Sequence, residues 1–157
     1  MENTMYTIRK AELNDIPALI DFREKMFALV WTGGGSLEEM STFSHAYFRE
    51  KMAAGELHAW IAETDSGQPV ACSALSYYFL TPKPSNLEGK YGYISSMFTE
   101  EDHRRKGLAR KLLRAAIDFG KASGLRYVKL HASDYGIPLY ESEGFEAWNE
   151  MSLDLGE

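Results

Sequence analysis

With 157 residues and one cysteine, this chain has room for a single domain, residues 1–157, and cannot close an internal disulfide. A make-up of 45% hydrophobic, 25% charged and 13% aromatic residues is that of a globular protein and excludes a disordered chain. The net charge of −6 argues against a dedicated nucleic-acid binder, which needs a basic face, and mildly favours cationic acceptors such as amines.

Met1 to Tyr6 shows no basic stretch followed by an apolar one, so no secretory signal is expected and the default location is the cytoplasm. No run approaches the roughly 18 apolar residues of a membrane span, so no membrane partner is expected. Met5 to Lys10 alternates as a first strand. Asn14 offers an N-cap and Pro17 sits in the first turn of a helix whose apolar residues, Leu19, Ile20, Phe22, Met26, Phe27 and Val30, recur at helical spacing. Trp31 to Gly35 breaks it. Ser36 and Glu39 form a capping box for a second helix ending near Gly55. The triple glycine is read as a sharp turn, since no lysine with serine or threonine follows it.

Leu57 to Glu63 and Val70 to Leu80 read as a strand pair joined by a turn. Pro82 and Pro84 mark a loop, and Tyr91 to Thr99 is the next strand. A helix from about Arg105 to Ser123 stops at Gly124. A strand over Leu125 to Ala132, a short helix over Tyr135 to Glu143 and a last strand over Phe145 to Leu155 complete a β-α-α-β-β-β-α-β-α-β order. That order gives an α/β (α+β) sheet flanked by helices.

The informative junction is strand, turn, helix, with Arg104-Arg105-Lys106-Gly107-Leu108-Ala109 at the turn. The first amides of a helix lack intrahelical partners and carry partial positive charge, so they attract a phosphate. Gly107 and the small Ala109 let an anion approach the backbone, and three basic side chains surround it. Neither a Gly-x-x-x-x-Gly-Lys-Ser/Thr nor a Gly-x-Gly-x-x-Gly pattern is present, which sets aside a nucleotide triphosphatase or a dinucleotide enzyme.

At Arg104, Gly107 and Ala109 the chain resembles the Arg/Gln-x-x-Gly-x-Gly/Ala motif of the GCN5-related N-acetyltransferases (GNAT). Pro138 to Phe145 is similar to the family's Leu-Tyr-x-x-x-Gly-Phe segment. The resemblance implies a mixed central sheet of six to seven strands flanked by four helices, splayed between the strands ending near Thr99 and starting near Leu125. It implies acetyl-CoA as acyl donor and no metal. The backbone of Met97 and Thr99 would pair with the pantetheine arm. Amides from Arg105, Lys106, Gly107, Leu108 and Ala109, with Arg110 joining, would hold the pyrophosphate beside Arg104. Tyr140 matches the general acid, and Ser133 stands where relatives often carry an asparagine that touches the cofactor.

Many relatives place a glutamate base on the strand before the phosphate loop. Here Tyr93-Ile94-Ser95-Ser96 carries no carboxylate, so Ser95 or Ser96 is left to hold a proton-relaying water. His58 and His131 lie on expected strands and read as structural; Cys72 reads as a small buried apolar residue. Of the aromatics Trp31, Tyr47, Trp60, Tyr77, Tyr78 and Phe79, Trp31 is the leading candidate for an acceptor-pocket wall. The expected activity is acetyl transfer to a primary amine, small molecule or peptide, by direct attack. The alternatives are a non-catalytic acyl-CoA-binding module, or a transferase with another acyl chain or a hydroxyl acceptor. A homodimer is consistent with the resemblance.

Overall fold

A computed structural model describes residues 4–156, so Met1 to Asn3 of the N-terminal stretch lie outside the described residues. Five strands, β1 (Tyr6–Lys10), β2 (Leu57–Thr64), β3 (Pro69–Phe79), β4 (Lys90–Thr99) and β5 (Val128–Leu130), form one sheet in sequential order. The first four are antiparallel; β5 runs parallel to β4. Four helices accompany them: α1 (Ile16–Val30), α2 (Leu37–Ala53), α3 (Leu108–Ala122) and α4 (Ile137–Ser142). A parallel pairing requires a crossover, and α3 supplies it.

Both faces of the sheet are covered. Leu19, Ile20 and Phe22 of α1 and Phe48 of α2 pack on Leu57, Ala59, Ile61, Cys72 and Ala74. Leu108, Leu112, Leu113 and Ala116 of α3 pack on Trp60, Ala62, Ala71, Leu75 and Ile94. Neighbouring residues of β2 and β3 therefore serve opposite cores, which explains why these strands read as nearly unbroken apolar runs. A single buried hydroxyl interrupts the second core, and Ser73 Oγ donates to the Leu112 carbonyl at 3.1 Å.

Two features of β4 prepare the site. It pairs with β5 only at Gly92, Tyr93 and Ile94; beyond that point it runs on to Thr99 with its β5-side edge open. This is the expected splay. On its other side Cys72 faces Phe98 while Ala74 faces Ser95, so β4 carries one residue more than β3 over that interval. The extra residue is a β-bulge, and Ser96 occupies the left-handed region there with φ 58°.

Several expectations need correction. The sheet has five strands, not six or seven, because residues 145–156 form no strand. Met151, Leu153 and Leu155 alternate as a strand should, yet all are more than 80% exposed. Alternation without a neighbour that accepts its amides does not make a strand. β5 is likewise confined to Val128–Leu130, where β4 pairs with it, instead of Leu125 to Ala132. Asn14 is not the cap of the first helix; Leu13–Asp15 forms a 3-10 turn and Asp15 precedes α1. The Asp15 carboxylate takes the Glu12 amide at 2.8 Å and both terminal nitrogens of Arg9, which fixes the turn. Ser36 does cap α2, accepting from the Glu39 amide at 3.2 Å.

Candidate active site

The open edge of β4 presents main-chain groups at alternate residues. Glu100 donates its amide to the Val70 carbonyl across the sheet at 2.8 Å. Strand alternation then turns Phe98 toward β3 and the backbone groups of Met97 and Thr99 toward the opening. The Thr99 carbonyl is already engaged, since Arg104 Nε donates to it at 2.9 Å. That bond, with the Arg104 guanidinium 5.8 Å from the Phe98 ring centre, folds the loop's first arginine back against the strand.

The turn that follows has two left-handed residues, Arg105 at φ 59° and Gly107 at φ 78°. These conformations delay α3 until Leu108, three residues later than helical spacing predicts. Gly107 is the N-cap residue and offers no side chain to the first-turn amides. The amides of Leu108, Ala109 and Arg110 are thus the unpaired donors of the helix start. A methyl group placed on Gly107 would meet nothing within 4 Å, so the approach to this turn is open. The donor set suits a diphosphate: oriented amides, a helix dipole and basic side chains.

Much of the basic charge around the turn is already engaged. Lys106 Nζ donates to Tyr6 Oη at 3.3 Å, and Tyr6 is bonded in turn to His103 Nδ1 at 2.8 Å. Arg110 donates to Ser142 Oγ at 3.0 Å and to the Glu143 carboxylate, which Arg114 also grips at 3.0 Å. The Arg110 side chain therefore ties α3 to the end of α4, leaving its amide for an anion. Hydrogen bonding from Arg114 and then Arg110 holds the Glu143 carboxyl below the usual carboxylate range. Leu108 is 2% exposed and faces the core, so it too can contribute main chain alone.

Tyr140 of α4 packs on the α3-side core with Leu139 and Phe145, its ring edge-on to Phe145 at 5.9 Å. Burial raises its phenol above the ordinary tyrosine value, so it stays protonated across the physiological range. Gly136 makes room for this ring, because a Cβ there would sit 2.8 Å from Tyr140 Cε2. Ser133 lies in the turn before α4, where its Oγ accepts the Gly136 amide at 3.3 Å. Its hydroxyl keeps a proton to donate elsewhere.

A second opening, a cleft of about 730 Å³, lies on the opposite face between β3, β4, α1 and α2. Tyr47, Tyr77, Tyr78, Tyr93 and Ser95 line it together with Arg23. Ser96 is beside it but 3% exposed, and its Oγ accepts from Arg23 Nη1 at 2.8 Å. The bulge explains how two consecutive serines serve one face, which regular alternation forbids. Trp31 lies outside this lining. It is 56% exposed and its indole donates to the Gly34 carbonyl at 2.9 Å, closing the glycine turn on itself. Trp60 belongs to the core and Phe79 to the surface.

Sequence reasoning missed Arg23 and Tyr93. The signal for Arg23 was present: it stands four residues after Leu19 and four before Phe27, a charge inside an apolar helical stripe. His58 is structural, bonded to the Gly55 carbonyl at 3.0 Å and set 4.3 Å from the Phe119 ring; burial lowers its pKa. His131 is exposed at the sheet's end. Cys72 is buried, its thiol pushed up to about 12 by loss of hydration, and it donates to the Ser96 carbonyl at 2.9 Å.

Comparison with known proteins agrees with this geometry. The model of the acetyltransferase (GNAT) family matches residues 23–145. An uncharacterized N-acetyltransferase of Bacillus subtilis (strain 168) is 30% identical over 118 residues, covering 72% of this chain and 71% of that protein. A predicted acetyltransferase from Clostridium acetobutylicum, solved with acetyl-CoA, superposes with a TM-score of 0.88 at 30% identity over 96% of this chain and 97% of its own. A GCN5-related N-acetyltransferase from Ralstonia eutropha JMP134 gives a TM-score of 0.88 at 27% identity, covering 96% of this chain and 99% of its own.

Proposed function

This chain belongs to the GNAT family of acetyltransferases and is an N-acetyltransferase; on that premise we propose that it moves an acetyl group from acetyl-CoA to a primary amine by direct attack. The observation that carries the proposal is the continuity of an open strand edge at Met97 and Thr99 with an uncapped helix start at Gly107. A long, diphosphate-bearing thioester spans such a pair of features. Bound there, it supplies an activated carbonyl and a sulfur leaving group.

The chain's own groups would act as follows. Amides from Arg105 to Arg110 bind the diphosphate, and the Met97 and Thr99 backbone orients the pantetheine arm as an added strand. The Met97 amide polarises the carbonyl, and Tyr140 keeps a proton ready for the sulfur. An amine of pKa about 10.4 is neutral in roughly one molecule per thousand at pH 7, a penalty of about 4 kcal/mol. Ser95 is the better holder of a water that carries that proton away. The Ser96 hydroxyl faces a guanidinium, which opposes any further gain of positive charge.

Release of free CoA thiol, measured with an amine panel, tests this reading. Acceptor-dependent release supports it. Tight acetyl-CoA binding without turnover for any acceptor favours a non-catalytic binding module instead.

A further inference from the structure

Arg23 enters the acceptor-side cleft from α1, and its charge has no carboxylate partner among the described residues. Its one hydrogen bond is to the neutral Ser96 hydroxyl at 2.8 Å, and its buried Nε has no partner at all. Phe27 and Phe48 flank the guanidinium at 5.3 and 5.8 Å, excluding water from its sides. The neighbouring carboxylate, Glu24, is taken by Ser41. An arginine cannot shed its proton to escape such a site, and a buried charge left uncompensated is costly. Burial accordingly lowers its pKa. The other charged side chain of the lining is Glu150, 77% exposed at the rim and 3.9 Å from Lys129. The cleft therefore has a positive interior, with its rim carboxylate paired to a lysine, whatever the sign of the whole molecule.

We propose that Arg23 receives an oxyanion of the acceptor, and that the acceptor is an amino acid whose carboxylate lies a few bonds from the amine that is acetylated. The short spacing follows from place: Arg23 is bonded to Ser96, and Ser96 immediately precedes Met97. On the reading given above, on which this inference rests, Met97 is where the acyl group is held. An anion on Arg23 and an amine at that point belong to one small unit. Met40, Phe43, Leu57 and the tyrosines of the lining would then receive an apolar or aromatic side chain.

Matched pairs test this without any variant: phenylalanine against phenethylamine, and leucine against its decarboxylated amine, with the aminophosphonate analogue of phenylalanine as a third arm. The expected kcat/KM for each amino acid exceeds that of its decarboxylated partner by about a hundredfold. The phosphonate separates a carboxylate site from a phosphate site; its preference over the carboxylate would reassign the acceptor to phosphorylated amines and overturn the amino-acid identity. In Arg23→Gln the ratio between matched partners falls to near one while acetyl-CoA affinity, read by calorimetry, is retained; Arg23→Lys keeps part of the ratio. Acetyl-CoA binding combined with equal or better turnover of the decarboxylated amines overturns the inference and leaves the transferase reading intact. So does acetyl-CoA binding with turnover of none of the amino acids. Failure of acetyl-CoA to bind removes the reading itself, and the inference with it.

Discussion

Gly107 concentrates two requirements in one residue. Its φ of 78° suits glycine, and the space around its Cα is open. Gly107→Ala should cost about 1 kcal/mol of stability through backbone strain, seen as a small drop in melting temperature. Gly107→Glu adds a carboxylate at the helix start and should abolish acetyl-CoA binding while the far-ultraviolet dichroism is kept. An unchanged affinity by calorimetry would place the diphosphate elsewhere. Tyr140 makes a different demand. Tyr140→Phe preserves the packing against Phe145 and removes one proton donor, so kcat should fall about a hundredfold with acetyl-CoA affinity little changed. Because burial raises this phenol, activity that depends on it should persist above the pH at which a free tyrosine ionises.

Elements hold these residues in place through a small number of ties. α4 is only six residues long, and its end is fastened to α3 by Glu143 with Arg110 and Arg114. The folded Glu143 carboxyl titrates below its unfolded counterpart, so the tie is fully present above the unfolded value, near pH 4.3, and is lost as pH falls through the folded one. Melting temperatures of the native protein and Glu143→Gln should therefore differ at neutral pH and converge in acid. A difference that persists at pH 2 would mean that packing, not charge, fastens α4. α3 itself is held by burial: Leu112 is 0% exposed, and Leu112→Ala should cost about 2–5 kcal/mol by denaturant unfolding.

At the scale of the molecule, two cores share the same strands, β2 and β3, from opposite sides. Neither core survives loss of the strands that the other needs. We therefore expect one domain and one unfolding transition, coincident by tryptophan fluorescence and far-ultraviolet dichroism. Two separated transitions would show that the α1–α2 layer detaches from the sheet on its own. Such detachment would expose Arg23 and disassemble the cleft beside Ser95 before the turn at Gly107 is disturbed.

Much of what depends on neighbours along the chain was readable from the residues, although the entry to α1 was not, since Asp15 and not Asn14 precedes that helix. Ser36 caps α2 because its partner amide is three positions away, and Gly107 signalled a turn where φ is positive, although α3 begins at Leu108 and not near Arg105. The order of the paired strands followed from local alternation, whereas the length of β5 did not, and the opening beside Thr99 was implied by the resemblance to the family. Tertiary structure alone decided the rest. Met151, Leu153 and Leu155 have the pattern of a strand but no partner for their amides. Ser95 and Ser96 share a face only because β4 bulges against β3. Arg23 acquires its place from a serine 73 residues away. Local preference is set within a turn or two of chain, whereas hydrogen-bond partners across a sheet and charges in a cleft are set by what folding brings near.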